Sequence, residues 1–260
     1  MKVGVIAAEM EGCATGVGRY LEGLIQGLQL WDHGVEWHLF FQGAPPPPQY
    51  RLDGSINAHY SRHRGSRVLW EQVLVTREIE AVQPDVVFGP AYTLPFGLRI
   101  PSMVTIHDLS FELLPEEFGL RERWRRRFLA RRAARVAGRV ITDTEFMSSL
   151  VAKNYGVAGE RIGVVPLGID GKRFSKVERD DDIQFLKELA VRQPYVLVPG
   201  TVLERRMPGQ VLEGFAIVRR DRPKLELVFA GANRMRRPEK LDLLINELGL
   251  ESAVHQLGWV

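Results

Sequence analysis

The chain has 260 residues, 45% of them hydrophobic and 26% charged, a composition typical of a globular protein with enough apolar material for a buried core. Its formal net charge of +3 is too small to indicate nucleic-acid binding by itself. Cys13 is the single cysteine and excludes an internal disulfide, which fits a reducing compartment such as the cytoplasm. No apolar run approaches the roughly 20 residues that a membrane-spanning helix needs.

Short apolar segments alternate with helical patterns in the first part of the chain, as in a parallel sheet with helices on both faces. Strands are predicted at 3–8, 35–41, 56–59, 85–88, 103–106, 139–141 and 162–165. Helices are predicted from about Arg19, over 66–82, over 121–138, and after a Thr144 cap to about 153. In the second of these helices, Val68, Leu69, Val73 and Ile79 are expected to face the core. The four prolines within 44–50 predict a loop.

A second alternating series follows a charged stretch. Residues 171–193 are predicted to form a linker between an amino-terminal domain (1–170) and a carboxy-terminal domain (194–260), giving an α/β fold with two Rossmann-like doubly wound parallel sheets. The second series has strands at 195–198, 225–230 and 253–257 and helices at 210–219 and 238–248. A sheet of only three parallel strands would leave an edge strand unpaired, which complete domains avoid, so the second domain is expected to be incomplete. Within the linker, Asp180, Asp181 and Asp182 are interpreted as a solvated charge run rather than a cation site.

Residues 194–215 combine a strand, a turn, two arginines and a helix start. Arg205 and Arg206 come just before Pro208, where the predicted helix offers free N–H groups and the positive end of its dipole. Guanidinium groups match phosphate oxygens in geometry. The segment therefore predicts a phosphate site, although a solvated arginine pair on a surface loop would give the same spacing.

Two further features lie where ligands bind in α/β sheets. His107 and Asp108 follow a strand directly, and a histidine there can donate a hydrogen bond or transfer protons, although a purely structural histidine fits the position equally well. Gly16 and Gly18 open the first helix without the spacing of a dinucleotide fingerprint, so a ligand loop and a plain glycine turn both remain open. Arg19 follows in the first helical turn, which slightly favours a nearby anion.

Residues 121–139 contain nine arginines and one glutamate, interleaved with apolar side chains. Such a helix can lie on an anionic membrane or bind a polyanion such as RNA. The plainer alternative is a helix that buries Trp124 and Phe128 and directs its arginines to water. The remaining histidines show no ligand spacing, so no metal site is predicted.

Six segments in order resemble the retaining family-4 glycosyltransferases of the GT-B fold, in which two Rossmann-like domains face each other across a cleft. The matching text is GVGRYLEGLIQGL, VTIHDLSFELLPEEF, RVITDTEFMSSLVAKNYGV with IGVVPLGID, GTVLERRMPGQVLEGF, LVFAGANR and LGLESAVHQLGWV. The resemblance implies transfer of a hexose, with mannose and glucose as candidates, from a nucleotide-sugar to a saccharide or lipid-linked acceptor. It suggests surface polysaccharide assembly in the cytoplasm or on the inner membrane face, with no nucleic-acid partner.

The same resemblance implies roles for individual residues. His107 would lie beside the donor sugar, and Arg205 and Arg206 would bind the pyrophosphate and stabilise the charge on the leaving diphosphate, so these three would be catalytic. The donor-binding residues would be Gly16, Gly18, Gly200, Thr201, Arg205, Arg206 and Gly258. The residues facing acceptor or membrane would be Arg19, Asp108, Trp124, Arg125 and Arg126. No metal and no cofactor would be needed, because the nucleotide-sugar is a substrate.

The chain departs from the family pattern in two places. Leu203-Glu204-Arg205-Arg206 stands where the family usually has Glu-Pro-Arg-Lys, which changes the geometry of one cation. The family also continues with a glutamate-rich donor motif beyond the equivalent of Val260. We therefore expect a truncated, weakly active or inactive chain, and a non-catalytic nucleotide- or sugar-binding fragment or a polyanion-binding protein remain as alternatives.

Overall fold

The computed structural model describes residues 1–12, 15–31, 34–43, 56–171, 174 and 180–260, which form two compact units, Met1–Ile169 and Asp170–Val260. The predicted loop at 44–50, Cys13 and several residues of the predicted linker lie outside these ranges. Within 171–193, where a linker was predicted, the structure has a helix, α7 (Asp180–Glu188).

Unit 1 is built on a seven-stranded parallel sheet, as the alternating pattern predicts. Its strands are β1 (Lys2–Ile6), β2 (Glu36–Phe41), β3 (Ile56–Tyr60), β4 (Val86–Gly89), β5 (Ser102–Ile106), β6 (Arg139–Thr142) and β7 (Ile162–Val164). Their order is β3-β2-β1-β4-β5-β6-β7, with Val3 in register with Trp37 on one side and Val86 on the other. β1 is buried on both faces, which explains its continuous apolar sequence.

Helices cover this sheet. They are α1 (Gly16–Trp31), α2 (Arg67–Leu69), a π-helical segment (Trp70–Leu74), α3 (Val75–Val82), α4 (Ser110–Leu113), α5 (Leu120–Val136) and α6 (Glu145–Tyr155). Thr144 caps α6 through its side chain, which accepts from the Met147 N–H and confirms the predicted cap. Because the chain runs outward from β1 to β3 and then returns to β4, the strand order reverses between β1 and β4, the position at which open α/β sheets bind ligands.

The helix predicted over 66–82 exists, with Ser66 as its cap and its helical residues at 67–82, but its buried side is different from the prediction. Val68, Leu69 and Val73 are exposed, whereas Trp70 and Ile79 are completely buried. The cause is the π-helical segment, in which the Val75 N–H donates to the Trp70 carbonyl five residues earlier. The extra residue in this turn rotates the helix, so the regular 3.6-residue spacing selects the wrong side chains.

Unit 2 contains a three-stranded parallel sheet in the order β10-β9-β8. Its described elements after α7 are β8 (Tyr195–Pro199), α8 (Pro208–Asp221), β9 (Glu226–Ala230), α9 (Glu239–Glu247) and β10 (Val254–Gly258). Leu212, Leu227 and Phe229 centre its core, against which the inner side chains of α9 pack. Among the described residues of both units, no helix is long and apolar enough to cross a bilayer.

The π-helical register can be tested with two substitutions on one helical segment. Ile79→Ala should lower the free energy of unfolding by about 2–5 kcal/mol, because it leaves a cavity beside Trp70 and Val75. Val73→Ala should cost less than about 0.5 kcal/mol, because Val73 is 48% exposed. Chemical denaturation followed by the fluorescence of buried Trp37 and Trp70 measures both values, and equal losses would contradict the register.

Candidate functional site

The turn after β4, residues 89–93, connects three parts of unit 1 and is called the β4 turn below. A Cβ on Gly89 would lie 2.3 Å from the Thr93 carbonyl oxygen, so only glycine allows the chain to fold back this closely. Tyr92 has a left-handed φ of 62°, and its N–H donates to the Thr105 carbonyl at 2.9 Å. The turn is thus fixed against β5, and its polar groups have defined directions.

His107 is held by hydrogen bonds at both ring nitrogens. Its Nε2 lies 2.9 Å from the Pro90 carbonyl oxygen, and its Nδ1 lies 2.8 Å from Asp143 Oδ2. A carbonyl only accepts, so Nε2 carries a hydrogen, and one further proton is shared between Nδ1 and the carboxyl group. The predicted catalytic histidine therefore belongs to an oriented pair at the carboxyl ends of β5 and β6, and its role toward a sugar remains a prediction.

Asp108 makes contacts that the sequence did not predict. Its carboxylate accepts from the Tyr92 hydroxyl at 3.0 Å and from the backbone N–H and hydroxyl of Ser110 at 2.9 and 2.7 Å. Burial, together with the negative charge of Asp108, raises the pKa of Tyr92 well above its ordinary value. These contacts tie the start of α4 to the β4 turn, and the predicted role toward acceptor or membrane stays untested.

A small, open pocket with room for about one water molecule lies where the strand order reverses, at the carboxyl ends of β1 and β4. This switch-point pocket is lined by the end of β1 with Glu9, by the β4 turn, and by Arg67 and Glu71. Arg67 pairs with Glu9 at 2.6 Å, and the Thr93 hydroxyl donates to Glu71. Burial raises the pKa of Glu71, while its bond from Thr93 and the charge of Arg67 oppose the shift.

Sequence reasoning missed these pocket residues. Glu71 was assigned to the middle of an amphipathic helix, where a glutamate ordinarily faces water. The inward position of Glu71 depends on the π-helical segment, and no regular hydrophobic period in the sequence reveals such a segment. The position of Glu9, three residues beyond the end of β1, was a weaker signal of the same edge of the sheet.

The predicted glycine loop is the first turn of α1, so this helix begins three residues before Arg19. The Gly18 N–H donates to the Thr15 hydroxyl at 2.9 Å, and that hydroxyl donates to the Glu9 carbonyl at 2.9 Å. Arg19 forms an ion pair with Glu22 at 3.0 Å. Thr15 thereby joins the start of α1 to the rim of the switch-point pocket, while ligand binding by Gly16, Gly18 and Arg19 remains a prediction.

In unit 2 the predicted donor residues gather at the carboxyl edge of the sheet. The Arg206 guanidinium lies against Gly200, and a Cβ added to Gly200 would lie 2.4 Å from its Nη1. Glu204 accepts from the Arg236 backbone N–H at 2.6 Å and so joins the loops after β8 and β9. Thr201 follows Gly200, Arg205 is exposed beside Arg206 before α8, and Gly258 bridges to Gly231 beyond β9. Their binding of a donor stays a prediction.

Helix α5 does not bury the two aromatic side chains that the plainest prediction placed in the core. Trp124 and Phe128 are not buried: they are 67% and 60% exposed, and Leu120 on the same face is 73% exposed. Arg121, Arg125 and Arg126 are exposed on this amino-terminal half. The buried contacts come instead from Leu129, Ala130, Ala133 and Ala134, because the small side chains let the helix approach β5 closely.

The arginines of the carboxy-terminal half contact backbone carbonyls. Arg132 donates to the Leu94 and Pro95 carbonyls at 2.7 and 3.0 Å and lies 4.0 Å from the Phe96 ring centre. Arg131 and Arg135 donate to the Asn154 and Tyr155 carbonyls at the end of α6. The two halves of α5 thus differ: these bonds anchor the carboxy-terminal half to the unit, whereas Leu120, Trp124 and Phe128 of the amino-terminal half are exposed.

The described residues contain no group of three or more His, Cys, Asp or Glu side chains placed to hold a metal ion together. Whether the activity needs a metal remains a prediction.

Comparison with known proteins decides the family. The model of Glycosyltransferase Family 4 matches residues 14–173. The chain belongs to this family. No curated protein matched the chain in the corresponding search.

Solved structures agree on the GT-B fold. HepE of Anabaena, in complex with UDP and glucose, superposes with a TM-score of 0.65 at 16% identity over 100% of this chain and 69% of its own. WaaG, a glycosyltransferase of lipopolysaccharide biosynthesis, gives 0.64 at 16% identity over 100% and 70%. A UDP-GlcNAc 2-epimerase from Methanocaldococcus jannaschii gives 0.56 at 15% identity over 100% and 74%. Since the last is not a transferase, the fold alone does not assign glycosyl transfer, and the family match carries that assignment.

The His107–Asp143 pair predicts a graded loss of stability. Asp143→Ala should lower the free energy of unfolding by about 1–3 kcal/mol, because it leaves the half-buried Nδ1 of His107 without its partner. Asp143→Asn should cost less, since its amide can still donate to that nitrogen. Denaturant unfolding of both, with exposed Glu160→Ala as a control, measures the difference. Three equal values would show that the pair does not form in solution.

Proposed function

We propose that this protein transfers a hexose from a nucleotide-sugar to a hydroxyl group of a saccharide or lipid-linked acceptor. The observation that carries the proposal is the family match over residues 14–173. In the proposed reaction the bond from the sugar C1 to the β-phosphate breaks, and a bond from C1 to the acceptor oxygen forms with retained configuration. The acceptor proton passes to the leaving diphosphate, and no metal is required.

The donor site is proposed at the carboxyl edge of the unit 2 sheet. Arg205 and Arg206 are exposed in the 3₁₀ turn that precedes α8, whose first turn contains no acidic residue. An anion there would meet two guanidinium groups and the positive helix end, which are the groups that stabilise a leaving diphosphate. The structure of HepE with UDP-glucose makes UDP the first nucleotide to test.

The acceptor side is proposed to lie near an anionic membrane surface, on the cytoplasmic face. Leu120, Trp124 and Phe128 recur at intervals of four residues and present apolar side chains beside the exposed arginines of α5. This combination is typical of helices that lie in the membrane interface. The single cysteine fits the reducing side. A role in surface polysaccharide assembly agrees with this position and with the lipopolysaccharide role printed for WaaG.

The donor proposal predicts selective loss of diphosphate binding. Calorimetric titration with UDP, GDP and ADP should show binding of one of them, and Arg205→Ala/Arg206→Ala should weaken it at least about tenfold through the loss of charge-assisted hydrogen bonds. The matched control is Arg220→Ala/Arg222→Ala, which removes two exposed charges at the other end of α8. Equal losses in the two variants, or no binding of any diphosphate, would contradict the proposed donor site.

The membrane proposal predicts salt-sensitive vesicle binding. The protein should sediment with vesicles of phosphatidylcholine containing about one-third phosphatidylglycerol, and less as salt rises. Trp124→Ala/Phe128→Ala should weaken this binding at least about tenfold by removing apolar contact area. Ile217→Ala/Leu243→Ala removes exposed apolar side chains from α8 and α9 and should change nothing. Binding that is independent of salt, or lost equally in both variants, would argue against a membrane role for α5.

A further inference from the structure

Two histidines at the edge of the unit 1 sheet bond to each other. Nδ1 of His38 on β2 lies 2.9 Å from Nε2 of His59 on β3, and Nε2 of His38 lies 2.9 Å from Glu36 Oε1. The His59 ring also stacks on Phe40, with ring centres 4.8 Å apart. His38 is only 7% exposed, so the bond between the rings is shielded from water. The linked side chains of Glu36, His38 and His59 are called the histidine bridge below, and the proposed glycosyl transfer does not use them.

The hydrogen-bond partners of the two rings determine where the protons lie. A carboxylate only accepts, so His38 carries its hydrogen on Nε2, and its Nδ1 accepts from the Nε2–H of His59. One additional proton can bind at Nδ1 of His59 without breaking either bond. A second additional proton would place an N–H on both of the facing nitrogens, next to two positive charges. The histidine bridge therefore holds only while His38 is neutral and its Nδ1 can accept.

Acidic groups face the two rings from two elements. Glu36 of β2 pairs with His38, and Glu78 of α3 lies near enough to His59 to favour its charged form. β1 contributes Lys2, in register with Glu36, and the sequence of β3, INAHY, contains no other charged residue. The remaining charged side chains of α3 are exposed: Arg77 and Glu80. Because the Glu36 side chain is 48% exposed, water screens its attraction for a second imidazolium charge.

Burial determines the direction in which acid acts on the bridge. Desolvation, followed by the charge of a protonated His38, lowers the pKa of His59 from the ordinary value of 6.5, although Glu78 opposes the shift. A histidine whose pKa is lowered by folding binds its proton more readily in the unfolded chain. The stability that the neutral form contributes is therefore complete above about pH 6.5, and it is lost as the pH falls through the lower pKa of the folded state.

The strand β3 is the element that this loss affects. It is the edge strand of the sheet, and among the described strands it pairs with β2 alone. After the strand, the Ser61 N–H donates to the Phe41 carbonyl at 2.9 Å, and the Gln42 side chain donates to the Gly65 carbonyl at 2.8 Å. Because an edge strand is bonded on one side only, cross-strand side-chain contacts contribute a large share of its attachment. The bridge thus links two protonation events to the attachment of β3 and of residues 61–65.

We propose that the histidine bridge is a pH-sensitive joint, which holds β3 on β2 while His38 is neutral and releases β3 and residues 61–65 in mild acid, when both rings are charged. Histidine suits this role because its charge changes between about pH 5 and 8. The inference does not depend on the proposed glycosyl transfer, because no residue of the bridge belongs to the donor or acceptor sites proposed above.

Hydrogen exchange of the full chain, followed by NMR at about pH 7.5 and about pH 5.5, tests the joint. Rates are corrected for the intrinsic effect of pH, and EDTA prevents a metal ion from bridging the rings. In the wild type, the β3 amides that bond to β2 should lose protection at least about tenfold at the lower pH, which corresponds to a pKa difference of about one unit. The amides of β4, in the centre of the same sheet, should keep their protection.

Two substitutions of His59 separate the joint from ordinary packing. His59→Gln should keep β3 protected at both pH values, because its amide donates to a neutral His38, accepts from a charged one and does not titrate. His59→Ala should leave β3 weakly protected at both. The control His255→Gln removes a half-buried histidine from unit 2 and should keep the response of β3 to pH.

Three results would overturn the joint: unchanged protection of β3 in the wild type, an equal loss in β4, or a response to pH that persists in His59→Gln. An equal reduction of the response in His59→Gln and His255→Gln would overturn it as well. Circular dichroism shows whether the variants fold, and the Gln variant keeps the test decisive if the Ala variant does not.

Discussion

The constraint on which unit 1 depends is the missing side chain of Gly89. With no Cβ at this position, the chain after β4 folds back until residue 93 meets residue 89. The Pro90 carbonyl then faces His107, the Tyr92 hydroxyl faces Asp108, and the Thr93 hydroxyl faces Glu71. One backbone conformation therefore orients the polar groups of three separate elements, and the left-handed Tyr92 is held there by the surrounding contacts rather than by its own preference.

In unit 2, too, glycines without a Cβ allow two backbone segments to approach closely. A Cβ on Gly231 would lie 2.2 Å from the Gly200 carbonyl oxygen, so the loops after β8 and β9 are in direct backbone contact. Glu204 reinforces this contact through the Arg236 N–H, and Arg206 lies over Gly200. The resemblance described above implies proline where this chain has Glu204, and proline has no carboxylate to form that link. The Glu204 side chain thus adds a hydrogen bond between two loops.

The regular elements were predictable because buried parallel strands are apolar on both faces and helices repeat at 3.6 residues. Strand positions and the helix predicted over 66–82 followed from those periods, and the Thr144 cap followed from its residue type. Ile79 was correctly predicted to be buried. Val73 was also predicted to be buried but is exposed, because a π turn shifts which side chains of the helix face the core without any change in composition. Glu71 was missed for the same reason. The contacts of His107 with Pro90 and Asp143 join residues 17 and 36 positions apart, and no local pattern encodes them.

Helix α5 shows why counting arginines does not determine their function. Arg131, Arg132 and Arg135 use their donors on carbonyls at the ends of neighbouring elements. Arg161 in turn donates to the Arg135 carbonyl at 2.9 Å, in the last turn of α5. These arginines stabilise the unit by satisfying backbone groups that would otherwise lack partners. The proposed membrane surface therefore rests on the amino-terminal half, where exposed apolar side chains accompany the charges, because attraction to anionic lipid and burial of apolar area must act at the same place.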